Sequence, residues 1–435
     1  MYEFTRKRRT RVLAGLALTA VSALVLAGCS GGTSGGDKPS ASSGGETAAS
    51  TQGSGTTGDL TFKMGALLPK TGSLAFLGPP MSGGTTLAVK EVNDAAAGIT
   101  IDLTEGDEGD TDSKLYDASM TTLRNAGITG LVGAASSAVT KIILPENVAA
   151  NIVEVSPSNT SPDFTTIDDN GLYFRTAPSD LLQGEVLAGV MADDQKKNLA
   201  IIYQNDAYGT GLNEAIASNF EASGGKVVAQ ESFNVGDAQF DSQVSAVAAA
   251  KPDAIAVVSY DQFKTIGPLL VNAGFTAKDF YLVDGNLKQY VAGSADEISI
   301  DMTGAKGTKA GPKLPDDFTE RLQANWTAAG NPKVEDWTYA AEAYDAVVLM
   351  ALAALAAKST DGKDVAAKMQ EVSGGSGDGT ECTSFADCAK IINDGGVANY
   401  NGYSGDVDFD EAGDPQAAAI GVYEYKAENQ YERID

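Results

Sequence analysis

From Asp59 onward, short apolar runs alternate with longer stretches in which apolar residues recur at helical spacing. LTFKMGALLP, ITIDLTEGD, ITGLVGA and NIVEVSP read as strands. Between them, PMSGGTTLAVKEVNDAA, SKLYDASMTTLRNA and the stretch after Ser137 read as helices, the last with Pro145 as a place to kink. A βαβαβ alternation implies a parallel sheet, because parallel neighbours need a crossover long enough to hold a helix.

After LYFRTAP the alternation restarts. NLAIIYQN, KVVAQESF, DAIAVVSY and DFYLVDG alternate with LNEAIASNFEASG, SQVSAVAAAK and FKTIGPLLVNAG. The restart repeats architecture and not sequence, which predicts an α/β protein of two similarly built lobes. Helices expected near 315–330, 336–358 and 361–372 bring no strands of their own and should return to cover the first sheet. SGDVDFD and AIGVYEY are expected to close the chain as strands. The run AAEAYDAVVLMALAALAAK has the apolarity of a membrane span. It carries Glu342 and Asp345 near its start, however, and is read as a buried core helix.

The first 58 residues follow a different pattern. Arg6, Lys7, Arg8, Arg9 and Arg11 precede an apolar stretch over residues 12–28, closed by Leu26-Ala27-Gly28-Cys29. An uncleaved anchor is the competing reading, since this length is the short limit for a span. The tetrapeptide, however, resembles the lipobox of bacterial lipoproteins, where small residues let a peptidase hold the backbone extended and the thiol takes the lipid. Residues 1–28 therefore read as a lipoprotein signal peptide and Cys29 as the acylation site. Residues 29–58 read as the acylated cysteine and a flexible Gly/Ser/Thr linker, with an r.m.s. span of about 30 Å. Arg8-Arg9 leaves twin-arginine and general export both open. Cleavage removes five basic residues and one acid, taking the formal net charge from −27 to −31. A chain this acidic would need a covalent tether to stay on an anionic membrane. The expected location is the outer face of the bacterial cytoplasmic membrane.

Composition narrows the chemistry. At −27 without a basic face, nucleic acid is a poor partner. The chain has no histidine, which removes Ser-His-Asp and Cys-His catalysis and imidazole-ligated metals. No phosphate-binding, nucleophile-elbow or dinucleotide motif stands between a strand and a helix, and DVDFDEAGD lacks the spacing of a calcium loop. The expectation is a binding protein and not an enzyme, with no cofactor and no metal. With Cys29 acylated, Cys382 and Cys388 remain, six positions apart. In an exported protein they predict a disulfide clamping a surface loop.

In parallel α/β sheets, ligands sit beyond the carboxyl ends of strands. VGAASSAVT clears side chains there and offers Ser137 as a helix cap. VSPSNTSP offers Ser158 and Thr160, QNDAYGTG offers Tyr208, VSYDQF offers Tyr260, and LVDGN offers Asp284. Taken singly, these are an ordinary N-cap, a Ser/Asn/Pro turn and an Asp-Gly turn. Together they set hydroxyls on one lobe against a carboxylate and phenols on the other, an arrangement suited to a zwitterion.

FKMGALLPKTGSLAFLGPPMSGGTTLAVKEVND, VSPSNTSPDFT, YFRTAPSDLLQG and AIIYQNDAYGTGL, in that order, resemble the periplasmic binding proteins that serve branched-chain amino acid ABC transporters. The likeness runs from about Phe62 through Gly285, and returns faintly at YSGDVDFDEAGD. It implies a type I periplasmic binding fold of two Rossmann-like lobes whose chain crosses the hinge three times. Lobe 1 is expected over 59–177 with 305–403, and lobe 2 over 178–304 with 404–435. The resemblance implies a ligand carboxylate at Ser137, further contacts at Ser158 and Thr160, tyrosine contacts at Tyr208 and Tyr260, and an ammonium at Asp284. Several relatives have Glu at that last position, and many carry an aromatic where this chain has Leu77, in the loop that shapes side-chain specificity. The implied function is capture of an amino acid, branched-chain or other, by a monomer that delivers it to an ABC permease. A ligand-sensing module, or a carrier of amides, urea or another small polar solute, is the alternative.

Overall fold

The computed structural model describes residues 2–5 and 59–435. Cys29, the linker to residue 58 and the expected signal peptide beyond Thr5 lie outside the described residues.

Tyr2–Thr5 forms β1. The strands β2 (Leu60–Leu68), β3 (Ile99–Asp107), β4 (Gly130–Gly133), β5 (Val153–Ser156) and β6 (Tyr173–Arg175) form a sheet in the order β3-β2-β4-β5-β6. All its neighbours are parallel. The crossovers are α1 (Gly78–Asp94), α2 (Leu115–Ala126) and α3 (Ser137–Ala149), which runs through Pro145. Both β4 and β5 are buried along their whole length, as strands covered by helices on both faces must be.

The second sheet repeats this winding. Its strands are β7 (Asn198–Gln204), β8 (Lys226–Phe233), β9 (Ala254–Val258), β10 (Phe280–Leu282) and β11 (Lys306–Ala310), in the parallel order β8-β7-β9-β10-β11. Helices α4 (Asp180–Asp193), α5 (Ala207–Ala222), α6 (Asp241–Ala250) and α7 (Phe263–Asn272) flank it. The order reverses beside β2 in one sheet and beside β7 in the other. Doubly wound folds open their ligand crevices at such points.

The chain then returns to the first core with α8 (Asp316–Ala328), α9 (Ala340–Ala357) and α10 (Gly362–Val372). α9 is buried continuously from Ala340 to Leu355. Its Asp345 tolerates burial because Tyr400 Oη, Ser404 Oγ and the N–H groups of Tyr403 and Ser404 all donate to it. A small parallel pair, β12 (Thr380–Cys382) and β13 (Ala398–Tyr400), flanks α11 (Phe385–Asn393). Cys382 and Cys388 lie there at disulfide distance, with Cα atoms 5.4 Å apart. Finally, β14 (Ala417–Tyr425) joins the second sheet antiparallel to β11, with β15 (Tyr431–Arg433) and β1 paired to β14.

Three expectations need correction. Lys306–Ala310 is a strand of the second sheet, so the boundary drawn at 305 falls too early. The run KGTKA shows no apolar alternation because its charges are met by partners distant in sequence, Lys306 by Asp194 and Lys309 by Asp336. Residues 404–409 stay with the first core, where Phe409 meets Phe174 at 5.1 Å and Ser404 binds Asp345. The boundary at 404 therefore also falls too early. SGDVDFD is not a strand; it holds only the isolated bridges Gly402–Gly405 and Phe409–Pro415. The chain passes between the sheets at 176–179, 311–315 and 410–416.

Candidate ligand-binding site

The segments that follow β4 and β5 of the first sheet meet at one point. Gly133 ends β4 at φ +118°, and a Cβ there would lie 2.1 Å from the Leu67 carbonyl oxygen. Only glycine lets β4 turn away this tightly. Ser136, not Ser137, occupies the N-cap of α3; Ser137 is the first helical residue, and its Oγ accepts from Ser161 N at 3.4 Å. This corrects the expectation that Ser137 caps the helix. Ser158 Oγ donates to the Ala135 carbonyl at 3.2 Å.

The sequence reading missed the group nearest this helix end. The Glu108 carboxyl accepts from Ala135 N at 2.8 Å and Ser136 N at 2.7 Å. It is fully buried, and burial pushes it up to about 8 against the opposing pull of those two bonds. The small residues at the end of β4 therefore accommodate an internal acid as well as leaving room outside. The first-turn N–H groups from Ser137 onward have no intrahelical partner, and these remain for a ligand. The available signal was an acid directly after a strand end, in EGDEGD.

From the second sheet, Tyr208 lies in the first turn of α5, Tyr260 follows β9, and Asp284 follows β10. The two tyrosine rings stack at 5.3 Å. Gly285 permits this, since a Cβ there would lie 2.9 Å from both Tyr208 Oη and the Tyr260 ring. Tyr208 Oη donates to Asp284 Oδ1 at 2.8 Å, and Tyr339 Oη donates to Oδ2 at 2.5 Å. Tyr339 was not anticipated. It sits at the N-cap of α9, at φ +63°, where the chain has come back from the second crossing.

Ser137, Ser158, Tyr208, Tyr260, Asp284 and Leu77 surround one small cavity, with Leu74, Ala135, Gly285 and Tyr339 completing its wall. Thr160 does not line it. Its buried hydroxyl faces the Asp180 carboxyl, and its carbonyl accepts from Asp180 N at 2.7 Å. Asp180, the first residue of α4, is also fully buried. Burial first, and the neighbouring Asp284 charge second, push it well above the usual carboxylate range. The loop carrying Ser158 to Ser161 is fixed from behind by Arg175. Its guanidinium grips Asp414 with Nε at 2.6 Å and Nη2 at 2.9 Å, and donates from Nη1 to the Ser161 carbonyl at 2.7 Å.

The cavity measures about 10 Å³, room for roughly one water. Leu74 and Leu77 from the first half pack in one apolar cluster with Tyr208 and Tyr260 from the second. The cleft is therefore shut, and admitting a solute requires the halves to part.

Two parallel-sheet lobes closed on a cavity lined by hydroxyls, a helix N-terminus and one carboxylate define a solute-binding protein. The chain belongs to the periplasmic binding protein family, whose sequence model matches residues 61–402. It binds a solute outside the cytoplasm and is not an enzyme. It is similar to Leu/Ile/Val-binding protein homolog 1 of Brucella abortus, at 27% identity over 85% of this chain and 92% of that one. It is also similar to BasB, a substrate-binding protein of a chemotactic signal transduction system in Halobacterium salinarum, at 26% identity over 81% and 84% of the two chains. Among solved structures, the leucine-binding protein LivK of Thermotoga maritima shares the fold, with a TM-score of 0.68 at 22% identity over 86% of this chain and 98% of that one.

Proposed function

We propose that the protein captures an amino-acid zwitterion, branched-chain or other, in this cleft and delivers it to an ABC permease. The observation that carries the reading is Asp284, a carboxylate held by two phenols opposite the N-terminus of α3. The ligand carboxylate takes the free N–H groups and hydroxyl at Ser137, assisted by Ser158. The ammonium takes Asp284, and Leu74 and Leu77 meet the side chain. Thr160, with Asp180, lies just behind and tunes the field at Asp284.

The lobes comprise 59–177 with 311–409, and 178–310 with 410–435. A ligand touching both gains its full contacts only in the shut state, so it favours closure by that difference in affinity. Tethering through Cys29 keeps the protein beside its permease, as a monomer on the outer face of the membrane. Cleavage before Cys29 removes the strand Tyr2–Thr5 and frees the β14 edge at 417–420. The likeness to BasB favours ligand sensing as a second use of the same cleft.

A thermal-shift screen against the twenty amino acids and small amides tests the proposal. A solute present at 100 times its Kd stabilises the fold by about 2.7 kcal/mol. Stabilisation by one or more α-amino acids is expected; stabilisation only by neutral amides or urea would replace the amino-acid reading.

A further inference from the structure

Beside the second crossing lies a cavity of about 680 Å³, separate from the solute cavity and within the range that holds small ligands. Its walls come from both lobes: Glu342, Trp337 and Tyr339 from the start of α9 and its approach, Gly311 from the crossing, and Tyr423 from β14.

Glu342 is the feature that needs a partner. Only 3% of it is exposed, and among the described residues no group outside its own backbone bonds to its carboxyl. Oε1 lies against Gly311, where an added Cβ would sit 2.9 Å away. The neighbouring cations do not serve it. Lys309 is committed to Asp336, Thr338 and Tyr431, and Arg433 to Asp435 and the Gly311 carbonyl. The lining carries six carboxylates against three cations, so its field attracts positive charge. Trp337 and Tyr423 add aromatic surface of the kind that accepts an ammonium or its apolar body.

We propose that this cavity is a second ligand site that takes a small organic cation, its ammonium donating to Glu342 and its apolar body lying between Trp337 and Tyr423. Tyr339 lines both cavities and its hydroxyl holds Asp284. The second site is therefore coupled to the first, and a cation bound in the conformation seen here favours the shut cleft. By linkage each ligand then tightens the other. This coupling rests on the proposed solute reading; the cation site itself does not.

The sign of its pH dependence follows from Glu342, which burial raises to about 8. An amine protonated throughout this range binds the ionised acid, so binding releases a proton below pH 8. Affinity should rise by up to tenfold per pH unit from pH 6 to 8 and then level off.

Phenethylamine is the probe, titrated calorimetrically into the full chain at pH 6, 7 and 8. One binding event is expected, tightening with pH, and weakened at least tenfold with loss of the pH slope in Glu342→Gln. Trp337→Ala, at the aromatic part of the lining, should weaken it independently, which guards against a folding defect in the first variant. Asp284→Asn should leave it in place. No phenethylamine binding at any pH would overturn the proposal, as would binding indifferent to Glu342→Gln. If Asp284→Asn abolishes binding and Glu342→Gln does not, the amine occupies the solute cleft, and the second site falls while the reading of Asp284 stands. If Glu342→Gln changes only the melting temperature, Glu342 serves its own helix end and the site falls. Where the solute is known, Tyr339→Phe should abolish the mutual tightening.

Discussion

Asp284→Asn separates affinity from stability, because the carboxylate has a different set of neighbours with and without solute. Without solute, Asp284 accepts from two phenols, at 2.8 and 2.5 Å, and neighbours Asp180. Hydrogen bonds to a charged group contribute about 1.5–3 kcal/mol each. The asparagine keeps one acceptor oxygen, and its amide donates to a phenol that can reverse its role. The variant therefore loses part of this, about 2 kcal/mol. The melting temperature should therefore fall modestly. With solute bound, the same change leaves a buried ammonium without its counter-charge. Breaking such a pair costs about 3–5 kcal/mol, an affinity loss of at least about 100-fold. Calorimetric titration with the screened amino acid, alongside thermal melts with and without it, reads both quantities. The reasoning predicts a modestly lowered melt that no longer responds to solute. Wild-type affinity in Asp284→Asn would refute it and would make the solute one without an ammonium.

Ser137→Ala should weaken solute binding by less than tenfold, because the N–H groups of the first turn of α3 remain; a loss equal to that of Asp284→Asn would mean that the hydroxyl, not the helix end, holds the carboxylate. Glu154, fully buried in β5, is raised to about 8 by burial. The folded state thus holds a proton that the unfolded chain releases above about 4.5, so stability falls as pH rises from about 5 to 8. Glu154→Gln should flatten this decline in thermal melts, and an unchanged slope would count against it. Cys382 and Cys388 should form a disulfide that closes a short loop worth about 2 kcal/mol; thiol titration of the unfolded, unreduced protein should find neither free. Cys29→Ser should shift the protein from the membrane to the soluble fraction, and a variant that stays membrane-bound would count against lipid tethering.

Periodicity alone determined the two βα windings, because strands buried on both faces and their covering helices write their environment directly into the sequence. The apolar run over 340–357 was readable as a core helix for the same reason, with Asp345 as the sign that buried donors await it. The strand ends bearing Ser137, Ser158, Tyr208, Tyr260 and Asp284 were legible because a doubly wound sheet places its crevice there. Tertiary structure decided what depends on partners distant in sequence. The strand Lys306–Ala310 looks polar until Asp194 and Asp336 are brought to its lysines. Tyr339 lies 55 residues from the Asp284 it holds, and Glu108 meets the N-terminus of α3 only once β3 and β4 end at the same level. Thr160 falls behind the cavity because its hydroxyl and Asp180 share one buried space. A local pattern records which face of an element is buried. It does not record which charges and hydroxyls the folded chain brings together, since that is fixed by long-range packing.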